Sequence, residues 1–336
     1  MKLQKPSLVT VSLLTSVSLL VGMPLLAPSA LALVPSGNCP VDSVMDSPVF
    51  DQSVYAKGYV TLSATSQVNG DIWAGAAITA GAKAIVDGNS KAGAATTLGA
   101  LVHVNGNVTS GAATTLGAGA VVEGSVMSGA ATTYGAGSVV NNECIVNQPD
   151  PSELDVKAAQ DALALLVPVS PAELLPGNLA ADVTLSSGVH EVAGPLTVSA
   201  STIITLDAAT GDEFIFNVSG YVSFGAGVIV EVINGTGNTK VIWNVTGTYI
   251  SVGANAKITG TLMANVYVST GAGSVVDGAY SATSYVTVGA GATVGAECEA
   301  EGGCATRCAP AESVHVRPGI GIGAANRQIP CTAQPF

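Results

Sequence analysis

The chain has 336 residues, is 48% hydrophobic and only 10% charged, and carries 40 glycines and a formal net charge of −12. That apolar content excludes a disordered chain, and an acidic protein so poor in Lys and Arg is a poor partner for nucleic acid or anionic membrane. The composition fits many short, uncharged strands joined by Gly turns, in one large domain or two small ones.

The N-terminus reads as a secretory signal over residues 1–32. Lys2 and Lys5 give the positive start, Val9 to Leu26 the apolar stretch, and Ala30-Leu31-Ala32 an A-x-A cleavage site. Pro24, Pro28 and the small residues near Ala32 favour cleavage over the rival reading, a membrane anchor. The expected location is therefore extracellular, with no membrane attachment after cleavage. No later segment has the apolar length to span a bilayer.

Residues 33–48 form a short lead-in, and five repeats follow over 49–146. Thr61, Thr79, Thr97, Thr115 and Thr133 recur every eighteen residues, preceded two positions earlier by Tyr59, Ala77, Ala95, Ala113 and Ala131. A spacing that strict marks a solenoid with one coil per repeat, about 18 residues per rung. NQPDP at 147–151 breaks the pattern. Residues 152–166 then read as a helix, with Ser152 as cap, Glu153 and Asp155 in the first turn, and Pro168 and Pro171 beyond its end. Leu154, Ala158, Ala162 and Leu165 form its expected apolar stripe, which should pack against the flank of the solenoid.

After a Pro-rich linker the rungs resume over 179–298. GAG-type turns at Gly253, Gly271 and Gly289 are again eighteen apart, and a ten-residue insertion holding NGTGN (234–238) is expected to loop out. Residues 299–336 are a Cys-bearing tail without repeat. The six cysteines (Cys39, Cys144, Cys298, Cys304, Cys308 and Cys331) suggest disulfides in an exported chain, with pairing open; a Cys144–Cys298 bridge would fasten the two halves. Their spacing in the tail is not a usual zinc pattern.

Side chains alternate across a strand, so the phase decides what faces water. Val222, Ile250, Val268 and Val286, with Phe224, Val252, Thr270 and Val288, read as interior columns. The outward positions are then Tyr221, Tyr249, Tyr267 and Tyr285, followed by Ser223, Ser251, Ser269 and Thr287. Aligning the halves on their Gly turns turns Thr61, Thr79, Thr97, Thr115 and Thr133 outward. Val60, Ile78, Thr96, Thr114 and Thr132 then lie inside, where a hydroxyl needs a partner. The reversed phase would turn those last threonines out instead.

The outward threonines, with Ala77, Ala95, Ala113 and Ala131 beside them, make a flat candidate surface; Ser223, Ser251, Ser269 and Thr287 are a candidate extension. Rungs stack about 4.8 Å apart and the Ala lies roughly 6.7 Å from the Thr. A regular array of hydroxyls and methyls without charge can order water, and a growing ice plane is a periodic partner for it. Thr is also simply a good strand residue, and duplication of one repeat would copy it.

The stretch from Asp212 to Gly295, with its FIFNV and VIWNV pair (214–218, 241–245), TGTLMAN (259–265) and GAGSVVDGAYS (271–281), resembles the microbial secreted ice-binding protein family with a discontinuous β-solenoid. The resemblance covers roughly residues 50–296. It implies an all-β, right-handed, discontinuous β-solenoid of triangular section with one helix packed alongside, ice or ordered water as the partner, and no cofactor. A structural or adhesive cell-surface solenoid without ice activity is the alternative.

Catalysis is not expected. Asp87 and Glu123 share a turn column with Asn69, Asn105 and Asn141, which turn chemistry explains, and His103, His190 and His315 are scattered. No metal site is expected. The Tyr column could lie under the helix, stack on sugar rings or join two subunits. Four N-x-S/T sequences start at Asn107, Asn217, Asn234 and Asn244, Asn234 being the most accessible candidate.

Overall fold

Three short strands per rung, each paired in parallel with the equivalent strand one rung away, build the protein. The computed structural model describes residues 52–145, 156–165, 173–236 and 239–295. The signal peptide, the lead-in, the tail, and the cap and flanking prolines expected for the helix lie outside these residues. The first set of strands runs from Val54–Ala56 to Val139–Ile145, and the second from Glu173–Leu174, earlier than the expected start at 179, to Thr293–Val294.

One face is an eleven-stranded parallel sheet, and the other two merge into a 21-stranded one. The stacking order differs from the chain order. Tyr59–Leu62 lies between Ile78–Ala80 of the next rung and Tyr285–Val288 of the last rung of the second half. The end of the second half therefore abuts the start of the first, with Tyr59↔Tyr285 and Thr61↔Thr287 in register. Further bonds seal this seam, Gly58 N–H donating to Ser284 O at 2.7 Å and Ser63 N–H to Val288 O at 2.8 Å.

Backbone pairing thus joins the halves. Cys298, the partner expected for Cys144, lies outside the described residues.

Corners bring neighbouring rungs into close contact, which explains the Gly columns. A Cβ at Gly117 or Gly253 would stand 2.5 Å from backbone atoms of the preceding rung. At the next turn one position has positive φ in every rung but that of Asn178–Leu179. It is Gly119, Gly137, Gly227, Gly273 and Gly291 in five rungs, but Thr65, Lys83, Leu101, Ser201 and Asn255 in the others. Those non-Gly residues are held in a conformation disfavoured by about 1–2 kcal/mol.

The interior follows the expected phase. Val222, Ile250, Val268, Val286, Phe224, Val252 and Val288 are buried, as are Val60, Ile78, Leu62, Ala80, Leu98 and Leu116. Thr132 is half-buried and Tyr134 is 44% exposed, because among the described residues no further rung of face strands lies over Thr132–Tyr134. The rungs carrying Thr197, Ser223 and Ser251 are longer than eighteen residues and hold an aromatic core. Phe216 stacks on Trp243 at 3.9 Å and on His190 at 5.0 Å, and Phe224 meets Trp243 edge-on.

Thr96 and Thr114 are fully buried and satisfy one another through serines of the facing strand. Ser110 donates to Thr96 Oγ1 at 2.7 Å, Thr114 to Ser110 Oγ at 2.9 Å, and Ser128 to Thr114 Oγ1 at 2.7 Å; Ser128 and Thr132 are 3.0 Å apart. This hydroxyl ladder is what permits Thr inside an otherwise aliphatic coil.

The helix α1 is described as Val156–Ala164. It packs on the flank as expected but through a different stripe. Val156, Ala159, Gln160 and Leu163 are buried, whereas Ala158 is exposed, Leu165 is 78% exposed and Ala162 half-buried. Leu154 lies outside the described residues. The buried apolar three meet Tyr55, Trp73, Ile215, Ile242 and Met263 on one face of the larger sheet. Gln160 fixes the rotation: its Nε2 donates to Val245 O at 3.0 Å, and Asn244 Nδ2 donates to Gln160 O at 3.2 Å. Two polar bonds outweigh the choice between Ala-rich stripes of similar apolar content.

Candidate functional surface

The eleven-stranded sheet is the face free of the helix. Its strand Tyr59–Leu62 alternates exposed, buried, exposed, buried, and Ile78–Ala80, Thr96–Leu98 and Thr114–Leu116 alternate likewise. Thr61, Thr79, Thr97, Thr115 and Thr133 are all exposed, and adjacent members are in register. Ala77, Ala95 and Ala113 are half-exposed beside them and Ala131 is exposed.

The seam makes the hydroxyl column longer than either half. In spatial order it runs Thr197, Ser223, Ser251, Ser269, Thr287, Thr61, Thr79, Thr97, Thr115, Thr133. Sequence reasoning missed Thr197, because Pro195 stands where its column mates have Tyr or Ala; the pairing of Leu196–Val198 with Val222–Phe224 places it. Ser223, Ser251, Ser269 and Thr287 are half-buried. No position in the hydroxyl column, or in the Tyr/Ala column beside it, carries a charged side chain.

The neighbouring column changes character at the seam. Tyr221, Tyr249, Tyr267 and Tyr285 stack nearly parallel, with centroids 4.9, 4.9 and 4.8 Å apart. Tyr59 continues the row at 60% exposure, and Ala77 follows. The row is therefore not beneath the helix. Its ring faces cover one another, which leaves no slot for a sugar ring between them. Partial burial in the stack raises the Tyr267 phenol pKa, and the neighbouring Tyr285 and Tyr249 add to this.

Elsewhere the polar groups do structural work. Asn105 Nδ2 donates to Asp87 Oδ1 at 2.6 Å, Gln67 Nε2 to Asp87 Oδ2 at 3.1 Å, and the Asn141 amide to Glu123 O. His103 and Glu123 form an exposed pair at 3.5 Å. Among the described residues, no three His, Cys, Asp or Glu side chains cluster to hold a metal. Of the N-x-S/T asparagines, Asn244 is buried and bonded to Asn217, and the Asn107 side chain bonds Asn89 and the Ser125 amide. Asn234 is exposed, with its Nδ2 donating to Asp207 at 2.8 Å.

The fold resembles several solved structures at low identity. An ice-binding protein from the Antarctic ascomycete Antarctomyces psychrotrophicus is 16% identical, with 75% of this chain and 97% of that chain covered and a TM-score of 0.47. A glycosylated ice-binding protein from an Arctic yeast is 17% identical, over 75% and 94% of the two chains, at 0.48. The DUF3494 domain of a Shewanella frigidimarina ice-binding protein is 18% identical, over 73% and 94%, at 0.44. No curated protein matches the chain. The ice-binding-like family model matches residues 130–294, from the terminal Thr rung through the helix and the second half to the seam. Through that segment, just under half of its length, the chain is similar to the ice-binding-like family.

Proposed function

We propose that this chain is a secreted ice-binding protein that adsorbs to ice through the flat Ala-x-Thr surface of Thr61, Ala77, Thr79, Ala95, Thr97, Ala113, Thr115, Ala131 and Thr133. It acts by adsorption, without catalysis or cofactor, and inhibits recrystallisation or arrests a growth front. The observation that carries this reading is five exposed, in-register threonines on a parallel sheet, on the face that the helix leaves open.

The physics is cumulative. Hydroxyls bond the outermost lattice waters, while methyls favour cage-like water beside them. Removing one methyl-sized group from liquid water contributes about 0.8 kcal/mol, so a single rung holds nothing but several rungs together hold firmly. Charged groups would retain their own hydration shells and oppose this, and none stands in the two columns.

Replacing Thr97 and Thr115 with Tyr should abolish ice shaping and leave the circular dichroism unchanged. Persistent shaping in the folded double variant would remove this surface as the site. Binding to polysaccharide or to the producing cell's surface, without ice adsorption, would transfer the function to the adhesive reading. Secretion is tested by N-terminal sequencing of protein recovered outside the cells, which should begin at Leu33.

A further inference from the structure

The two columns of the open face do not end together. Hydroxyls continue through ten rungs, but the flat Ala column beside them stops at Ala77, where Tyr59 and the stacked rings behind it begin. A phenol side chain reaches several ångströms beyond an Ala methyl. Rings 4.8–4.9 Å apart and within 7° of parallel leave no gap between them, so the row is a continuous wall. The hydroxyls along the stacked part of the wall, Ser223, Ser251, Ser269 and Thr287, are half-buried, whereas those from Thr61 onward are exposed.

We propose that this wall sets the size of the ice-contacting area, and that Tyr59, the more exposed ring one rung beyond it in backbone register, is the residue that limits it. The proposal rests on the ice-adsorption reading above. A planar crystal face cannot touch Thr287 or Ser269 while the rings stand proud beside them, so full contact is confined to the rungs bordered by Ala, and Thr61, exposed beside Tyr59, engages only in part at the edge of that area. Tyr59 lies at the seam, next to Ala77, and its removal would bring the partly engaged Thr61 rung into full contact. Tyr285 lies one rung further and is bounded by Tyr59.

The order of these residues gives a signature that a general effect of losing aromatic surface would not. The experiment measures the concentration of full mature protein needed for half-maximal adsorption to ice, with circular dichroism as the fold control. Tyr59→Ala should lower that concentration about fourfold, the factor equivalent to about 0.8 kcal/mol for one added methyl-sized contact. Tyr285→Ala alone should change nothing, because Tyr59 still bounds the area. Tyr59→Ala combined with Tyr285→Ala should lower it further, to about fifteenfold in all. Tyr59→Thr keeps strand preference and serves in place of the Ala variant if that does not fold.

A folded Tyr59 variant that adsorbs no better than the parent would overturn the proposal, as would an equal gain from Tyr285→Ala alone. If Thr97→Tyr/Thr115→Tyr still abolishes adsorption in either case, only this inference falls. If the parent protein itself does not adsorb, the functional reading falls and this inference with it.

Discussion

Removing one hydroxyl from the interior ladder should cost more than removing three. Ser110 is fully buried, donates to Thr96 at 2.7 Å and accepts from Thr114 at 2.9 Å. Ser110→Ala fits sterically, because Ala92 and Ala74 occupy the same column in the two preceding rungs. It leaves the Thr96 hydroxyl without its donor and the Thr114 O–H without its acceptor, both fully buried. Orphaned buried groups cost about 1–3 kcal/mol, whereas replacing all partners with apolar groups of like shape is close to neutral. Thr96→Val and Thr114→Val have precedents in Val60 and Ile78 of their own column. Ser128 can then turn to Thr132, which is half-buried. The expectation is that Ser110→Ala lowers unfolding free energy by about 1–3 kcal/mol, and that the triple variant returns to within about 1 kcal/mol of the parent. Urea unfolding followed by circular dichroism reads both. A triple variant at least as unstable as the single one would refute the reasoning and assign the cost to packing.

Leu101→Gly should stabilise the coil by about 0.5–1 kcal/mol, since Leu101 has φ +60° where Gly119 and Gly137 occupy the next rungs; a lower melting temperature would contradict this. Leu163→Ala removes a fully buried contact between helix and sheet and should cost about 2–5 kcal/mol, read as faster hydrogen exchange in Val156–Ala164. Acid should loosen the loop around Thr236. The Thr236 hydroxyl, opposed by partial burial and helped by the Thr236 amide and Thr239, holds the Asp212 carboxyl below its ordinary pKa. A depressed folded value means stabilisation present above the unfolded pKa and lost as the pH falls through the folded one. Exchange at Thr239 should therefore accelerate below the ordinary carboxylate range in the parent, and lose that dependence in Asp212→Asn.

Periodicity made the rungs, their phase and their Gly corners readable, because an eighteen-residue recurrence forces equivalent residues into columns. The order of stacking was harder. Tyr59-Val60-Thr61-Leu62 follows Tyr285-Val286-Thr287-Val288 position by position, so the first repeat carries the pattern of the second half; that Tyr in an Ala column was the available signal for the seam. The helix stripe was not decidable from spacing, since both faces are rich in Ala. Gln160 and Asn244 decide it through bonds between residues 84 and 85 positions apart. The serine partners of the buried threonines were hidden for a similar reason. Ser110 and Ser128 sit on another face of the coil, and only the closed rung brings their hydroxyls to Thr96, Thr114 and Thr132.

Partition into a slowly grown ice hemisphere tests the central claim most directly. Purified mature protein should be taken into the solid at a higher fraction than an inert protein of similar size. The folded Thr97→Tyr/Thr115→Tyr variant should be rejected into the liquid. Exclusion of the parent protein, or equal uptake of parent and variant, would contradict the account.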